Sequence, residues 1–168
     1  GDVYKRQVVD TQNFMTKTGV RTFEAAAFLR RNGADVTRVR KLFRENAAEY
    51  KAKADAVSQA EIYRNAYAIS ICHSEGLASP TVVGAQAANE LLDIRGVKAS
   101  FVLTEYQNKL FFSARSIDEV NVQVIMERMG GGGHLNIAGC QLENTSVEEG
   151  IIVLKRTLDK MIEEGEIS

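Results

Sequence analysis

The sequence predicts an α/β fold, and three observations carry that reading. Segments that alternate like strands are interleaved with segments of helical periodicity along the chain. Start signals stand where the helices should open, at Ser79-Pro80 and at Ser146-Val147-Glu148-Glu149. Hydrophobic residues make up 45% of the 168, enough for a real core, and this excludes global disorder.

The elements follow in order. Val8-Val9 can close a strand, and Asp10-Thr11-Gln12-Asn13-Phe14 is the kind of polar cluster found just past a strand end. Thr22 can cap a helix carrying Phe23, Ala26, Ala27 and Leu29, which stops at Asn32-Gly33. Asp35 can cap a second, with Val36, Val39, Leu42 and Phe43 at helical spacing. Residues 46–64 are rich in Ala, Glu, Lys and Gln without a breaker, and read as a connector helix. Ala66 to Cys72 alternates like a strand. Ser79 as N-cap and Pro80 at the first helical position open a helix to about Asp93. Lys98–Glu105 and Lys109–Arg115 read as strands joined by a hairpin around Gln107-Asn108. Ser116–Met129 reads as a helix running into Gly130-Gly131-Gly132-Gly133-His134, and Ile137–Leu142 as a short strand. The capping box at Ser146 opens a last helix with Ile151, Leu154, Leu158 and Met161 on its apolar stripe.

Composition narrows the function classes. Twenty-one basic against twenty-two acidic residues give a net charge of −1, which argues against wrapping nucleic acid, and no nucleic-acid partner is expected. The balance conceals a basic stretch: Lys17 to Arg44 holds eight basic residues against Glu24 and Asp35. A solvated helix face and an anion-facing surface both account for such a run. Two cysteines without zinc-ligand spacing suit a reducing, cytoplasmic setting. No segment approaches about 18 consecutive apolar residues, so no membrane contact by this chain is expected. The chain opens Gly1-Asp2-Val3-Tyr4, with neither an initiator Met nor a signal-peptide pattern, and a piece of a longer protein is expected.

Four places could carry chemistry. A glycine run ending in a histidine, Gly131-Gly132-Gly133-His134, can turn backbone N–H groups toward an oxyanion, with the imidazole as a further donor; a flexible turn with a surface histidine explains it equally. Arg115 in Ser113-Ala114-Arg115-Ser116, at a strand end, offers a planar fork to phosphate or is a plain surface arginine. Asn121 could touch a base or ribose. Asp10 sits where α/β phosphoesterases place metal ligands, yet one carboxylate does not hold a catalytic divalent ion. Only His73 and His134 could add imidazoles, and His73 is expected to be structural or exposed. No Ser-His-Asp or Cys-His arrangement is evident.

These residues form a pattern. Asp10 to Ala26, with Leu29 to Asp35, resembles the end of the catalytic DHH domain in cyclic-di-AMP phosphodiesterases of the GdpP type. Ala99 to Leu103, Ser113 to Ser116, Asn121 to Glu127 and Gly130 to His134 resemble the DHH-associated C-terminal domain of the same proteins. The resemblance runs from about Val8 to the end. It implies a mixed-sheet substrate-binding domain with packed helices over 65–168. Ahead of it would stand a truncated remnant of a parallel-sheet DHH domain over 1–45, joined through the connector 46–64. It further implies that Asp10 is one ligand of a two-manganese centre, and that Gly131, Gly132, Gly133 and His134 hold substrate phosphate with help from Arg115. Cyclic-di-AMP would be hydrolysed to linear pApA through a metal-bound hydroxide.

The resemblance is incomplete at its start. The family's His-x-Asp-x-Asp motif, a further Asp and the Asp-His-His triplet should precede Asp10, and the nine residues there contain none of them. The isolated chain is therefore expected to be inactive, and the parent to be anchored at the cytoplasmic face of a membrane. A homodimer is compatible with this reading. Other readings are a DHH-family oligoribonuclease, a 3′,5′-bisphosphate nucleotidase, or a non-catalytic nucleic-acid-binding module.

Overall fold

A computed structural model of the chain describes residues 36–38, 46–117 and 119–168. Asp10 and the helix expected after Thr22 lie outside the described residues; of the helix expected after Asp35, 36–38 are described and helical. The chain divides into two compact units, 1–47 and 48–168.

In the second unit, α1 (Ala47–Ser58) leads into the hairpin β1 (Glu61–Tyr63) and β2 (Tyr67–Cys72). The expected connector helix over 46–64 thus ends at Ser58. Its last residues have a partner that local composition does not reveal, since Glu61, Ile62 and Tyr63 pair antiparallel with Ile69, Ala68 and Tyr67. Arg64 and Asn65 take left-handed φ of 52° and 59° and turn the chain back.

α2 (Pro80–Leu91) crosses over to β3 (Ala99–Tyr106), which lies parallel to β2, the βαβ unit that a parallel pair needs. Pro80 starts the helix as expected, although the Ser79 side chain makes no capping hydrogen bond. β4 (Lys109–Ser116) returns antiparallel through Gln107-Asn108, with φ of 53° and 63°, the two-residue hairpin anticipated there. α3 (Val122–Arg128) is shorter than the expected 116–129, because Ser116 completes β4 and Asn121 is the N-cap. After β5 (Gly132–Gly133) and β6 (Ile137–Glu143), α4 (Val147–Glu163) opens on the complete Ser146–Glu149 capping box.

The strands form one mixed sheet in the order β1-β2-β3-β4-β6-β5. Alternation sorts its side chains between two cores. Tyr67, Ile69, Phe101, Leu103, Leu110 and Phe112 pack under Ile125 and Met126 of α3 and Leu154, Leu158 and Met161 of α4. On the opposite face Ala68, Cys72 and Val102 meet Ala56 of α1 and Val83, Ala87, Ala88 and Leu91 of α2. Two buried serines fasten that second layer, Ser70 donating to the Ala56 carbonyl and Ser100 to the Ala88 carbonyl. The α/β reading therefore holds as three layers. Arg115 lies on the α1/α2 face, at the β4 end where β6 begins.

Candidate functional site

The Arg115 side chain is only 5% exposed. Its Nη1 donates to the Ala114 carbonyl at 2.8 Å, and its Nε has no hydrogen-bond partner. No carboxylate pairs with it among the described residues. Burial lowers its pKa to about 10, so the group stays protonated at neutral pH. A buried cation without an anion is costly, and a bound anion relieves that cost.

Beside it stands the glycine hairpin. Gly130 has a left-handed φ of 89°, and the N–H groups of Gly130 and Gly131 return to the Glu127 and Met126 carbonyls, a Schellman stop for α3. The run is therefore a built helix end followed by an edge strand rather than a loose turn. Gly132 pairs with Gly139, and Gly133 with Ala138. A Cβ on Gly131 would stand 2.1 Å from the Gly139 carbonyl oxygen, and one on Gly133 would stand 2.5 Å from the Ala138 Cα. Close approach to β6 thus requires glycine at both. Gly132 differs: a Cβ there meets nothing within 4 Å. It is the one member of the run whose bare backbone the fold itself does not demand.

His134 is exposed, and its N–H donates to the Ile137 carbonyl at 2.7 Å. Arg115 opposes Ile137 on the other side of β6, so Arg115 and His134 flank one end of that strand. A polar net holds this end. Asn136 Nδ2 donates to Ser116 Oγ at 3.2 Å, and Ser116 Oγ donates to the Val120 carbonyl at 2.6 Å. The Val122 N–H reaches the Leu135 carbonyl at 3.0 Å. Ser116 and Asn136 thereby fix the hairpin tip, a role visible only once the two segments are side by side. Asn121 does not offer its carboxamide oxygen to a ligand, because that oxygen caps α3 by accepting from Gln123 and Val124 N–H at 3.0 and 3.3 Å. His73 is exposed, as anticipated.

Across the same strands, toward their other end, lies an open cleft of about 390 Å³ lined by Phe111, Gln141, Gly130, Gly131 and Gly139, among others. The sequence reading missed it. Its one local signal is the Phe111-Phe112 doublet, which within a strand must put one ring on each face. Among the described residues no three His, Cys, Asp or Glu side chains converge on a point that could hold a metal ion. Asp10 lies outside those residues.

The family model described as DHHA1 domain matches residues 66–164. The chain belongs to the DHHA1 family. Arg115, the glycine run and His134 all fall inside the matched DHHA1 segment, and Asp10 precedes it. The chain is 46% identical over 143 residues to cyclic-di-AMP phosphodiesterase PdeA of Listeria monocytogenes, covering 84% of this chain and 22% of that protein. It is 41% identical over 160 residues to cyclic-di-AMP phosphodiesterase GdpP of Bacillus subtilis, covering 94% and 24%. The chain thus spans under a quarter of the length of these relatives. A crystal structure of an exopolyphosphatase-related protein from Bacteroides fragilis shares the fold, with a TM-score of 0.64 at 21% identity over 83% of this chain and 43% of that one.

Proposed function

We propose that this DHHA1 domain recognises the phosphates of a cyclic dinucleotide, cyclic-di-AMP, as part of a phosphodiesterase that opens it to linear pApA. The observation that carries the reading is Arg115: a guanidinium 5% exposed, with no carboxylate partner among the described residues, one strand across from the glycine hairpin. Such a charge is suited to a phosphate oxygen pair. The names of the PdeA and GdpP relatives supply the substrate class.

Each residue then has a part. Arg115 neutralises and orients a phosphate. Gly132 lets the backbone come close to it, and His134 adds a donor at the hairpin tip. Manganese belongs to this reading as the hydrolytic metal of the parent, with Asp10 as one ligand. The described residues do not themselves form a metal site. By the same reading the parent works at the cytoplasmic face of a membrane; no helix among the described residues is long and apolar enough to cross one.

Calorimetric titration of the 168-residue chain with cyclic-di-AMP, pApA and short RNA tests the proposal. Binding of the two di-adenylates that Arg115→Gln removes is the expected result. A clear preference for RNA, or di-adenylate binding indifferent to Arg115, would overturn it.

A further inference from the structure

The cleft along the β4–β6 pair has a composition that the phosphate reading does not use. Phe111 and Gln141 stand directly opposite each other across the two strands, so their side chains rise from the same face. Phe111 is half-buried and Gln141 exposed, and among the described residues the Gln141 carboxamide makes no hydrogen bond. Two residues along from Gln141, on that same face, comes Gly139, which has no side chain. Neither it nor Gly131 can carry one: a Cβ on Gly139 would stand 2.7 Å from the Phe112 carbonyl oxygen, and one on Gly131 2.1 Å from the Gly139 oxygen. The ring of Phe111 therefore borders a bare floor. The volume of this open cleft, about 390 Å³, lies within the range of about 300–1,000 Å³ usual for small-molecule pockets.

An aromatic face beside a free carboxamide is what a purine ring would engage. Stacking holds the π-face. One carboxamide donor and one acceptor match adenine, which presents N7 as acceptor and N6 as donor, whereas guanine presents two acceptors on that edge. Distance agrees. Phe111 and Arg115 lie on one face of β4 four residues apart, about 13 Å along the strand, a stretch that a dinucleotide spans. Between them, in register across the sheet, lie Ser113, Gly139 and Gly132.

We infer that the cleft between Phe111, Gln141 and the glycines Gly131 and Gly139 is a base site for one adenine of the dinucleotide, stacked on Phe111 and read through its N6/N7 edge by Gln141. This rests on the phosphate reading above. It makes Gln141 the residue that discriminates adenine from guanine and Arg115 the one that does not.

Titrations of the 168-residue chain and its Gln141→Ala and Phe111→Leu variants with cyclic-di-AMP, cyclic-di-GMP and inorganic tripolyphosphate test it; Leu keeps the apolar contact and removes the aromatic face. Each variant should bind cyclic-di-AMP about five- to a hundredfold more weakly. Tripolyphosphate affinity should be unchanged, and the preference for cyclic-di-AMP over cyclic-di-GMP should collapse in Gln141→Ala. Wild-type binding to cyclic-di-AMP that both variants retain would overturn the base site and leave the phosphate site standing. No wild-type binding to either dinucleotide would remove the phosphate reading and the base site with it.

Discussion

A single guanidinium sets two demands against each other. Burial lowers the Arg115 guanidinium from its ordinary value to about 10 in the folded chain, so below about 10 the folded state carries the full burial cost of its charge. That cost is on the order of 3 kcal/mol. It is relieved as pH rises through 10, so the Arg115 contribution to stability should improve toward alkaline pH. Replacing Arg115 by Met, of similar volume and uncharged, should stabilise the unliganded chain by about 1–3 kcal/mol while removing phosphate binding. Urea unfolding beside a binding titration checks this; a lower urea midpoint would mean that the Nη1 contact to Ala114 outweighs the buried charge. The glycines divide in the same way. Gly131→Ala and Gly133→Ala force backbone apart and should each cost about 1–3 kcal/mol. Gly132→Ala should leave the urea midpoint nearly unchanged and act on affinity alone. The residue types at this site were legible in the sequence, but their division of labour was not. Whether a glycine serves a ligand or a neighbouring strand depends on what its missing Cβ would strike, and β6 lies beyond the reach of any local pattern.

The boundaries that local signals define mostly matched the structure, whereas two boundaries were moved by distant partners, the end of α1 and the start of α3. The Ser146–Glu149 box is complete, with Glu149 N–H on Ser146 Oγ at 3.1 Å and the return bond at 3.2 Å. Ser146→Ala should therefore lower stability by about 1 kcal/mol in urea unfolding. The Gln107-Asn108 turn was equally readable, because two left-handed residues between alternating runs suffice to define it. By contrast, 59–64 reads as helix on composition but carries the strand β1 at Glu61–Tyr63, because β2 and α4 hold it. Tyr63 donates to the Asp159 carboxylate at 2.7 Å, Arg64 pairs with the same group at 2.8 Å, and Lys155 with Glu61 at 2.9 Å. The Tyr63 hydroxyl, then Arg64, hold the Asp159 carboxyl below its ordinary value. A depressed carboxylate contributes stability above its unfolded pKa and loses it as pH falls through the folded value. Acidification below about 4 should therefore loosen the β1–α4 tie first. Amide exchange at residues 61–63 across that range would show it, and Asp159→Asn should abolish the pH dependence.

At the scale of the molecule, the α/β class followed from alternation and caps while its three layers did not, and the DHHA1 family followed from the resemblance carried by Ala99 to Leu103, Ser113 to Ser116, Asn121 to Glu127 and Gly130 to His134. Strand order was not legible, since nothing local says that β6 enters between β4 and β5. The cleft was invisible for the same reason: it exists only after that insertion. The 168 residues hold neither a His-x-Asp-x-Asp nor an Asp-His-His motif. With manganese supplied, the isolated chain should therefore release no pApA from cyclic-di-AMP by chromatographic assay, and turnover would show that those ligands are dispensable. The tie between the first hairpin and the last helix also has a meaning in time. Tyr63 and Asp159 are 96 residues apart, and the Tyr67 hydroxyl reaches the Ser168 carbonyl across 101. At about 5–20 residues per second of synthesis, β1 and β2 leave the ribosome on the order of 5–20 s before α4 exists to cover them. Until then the sheet face bearing Tyr67, Ile69 and Phe101 lacks that cover, so completion of this domain waits on the synthesis of α4.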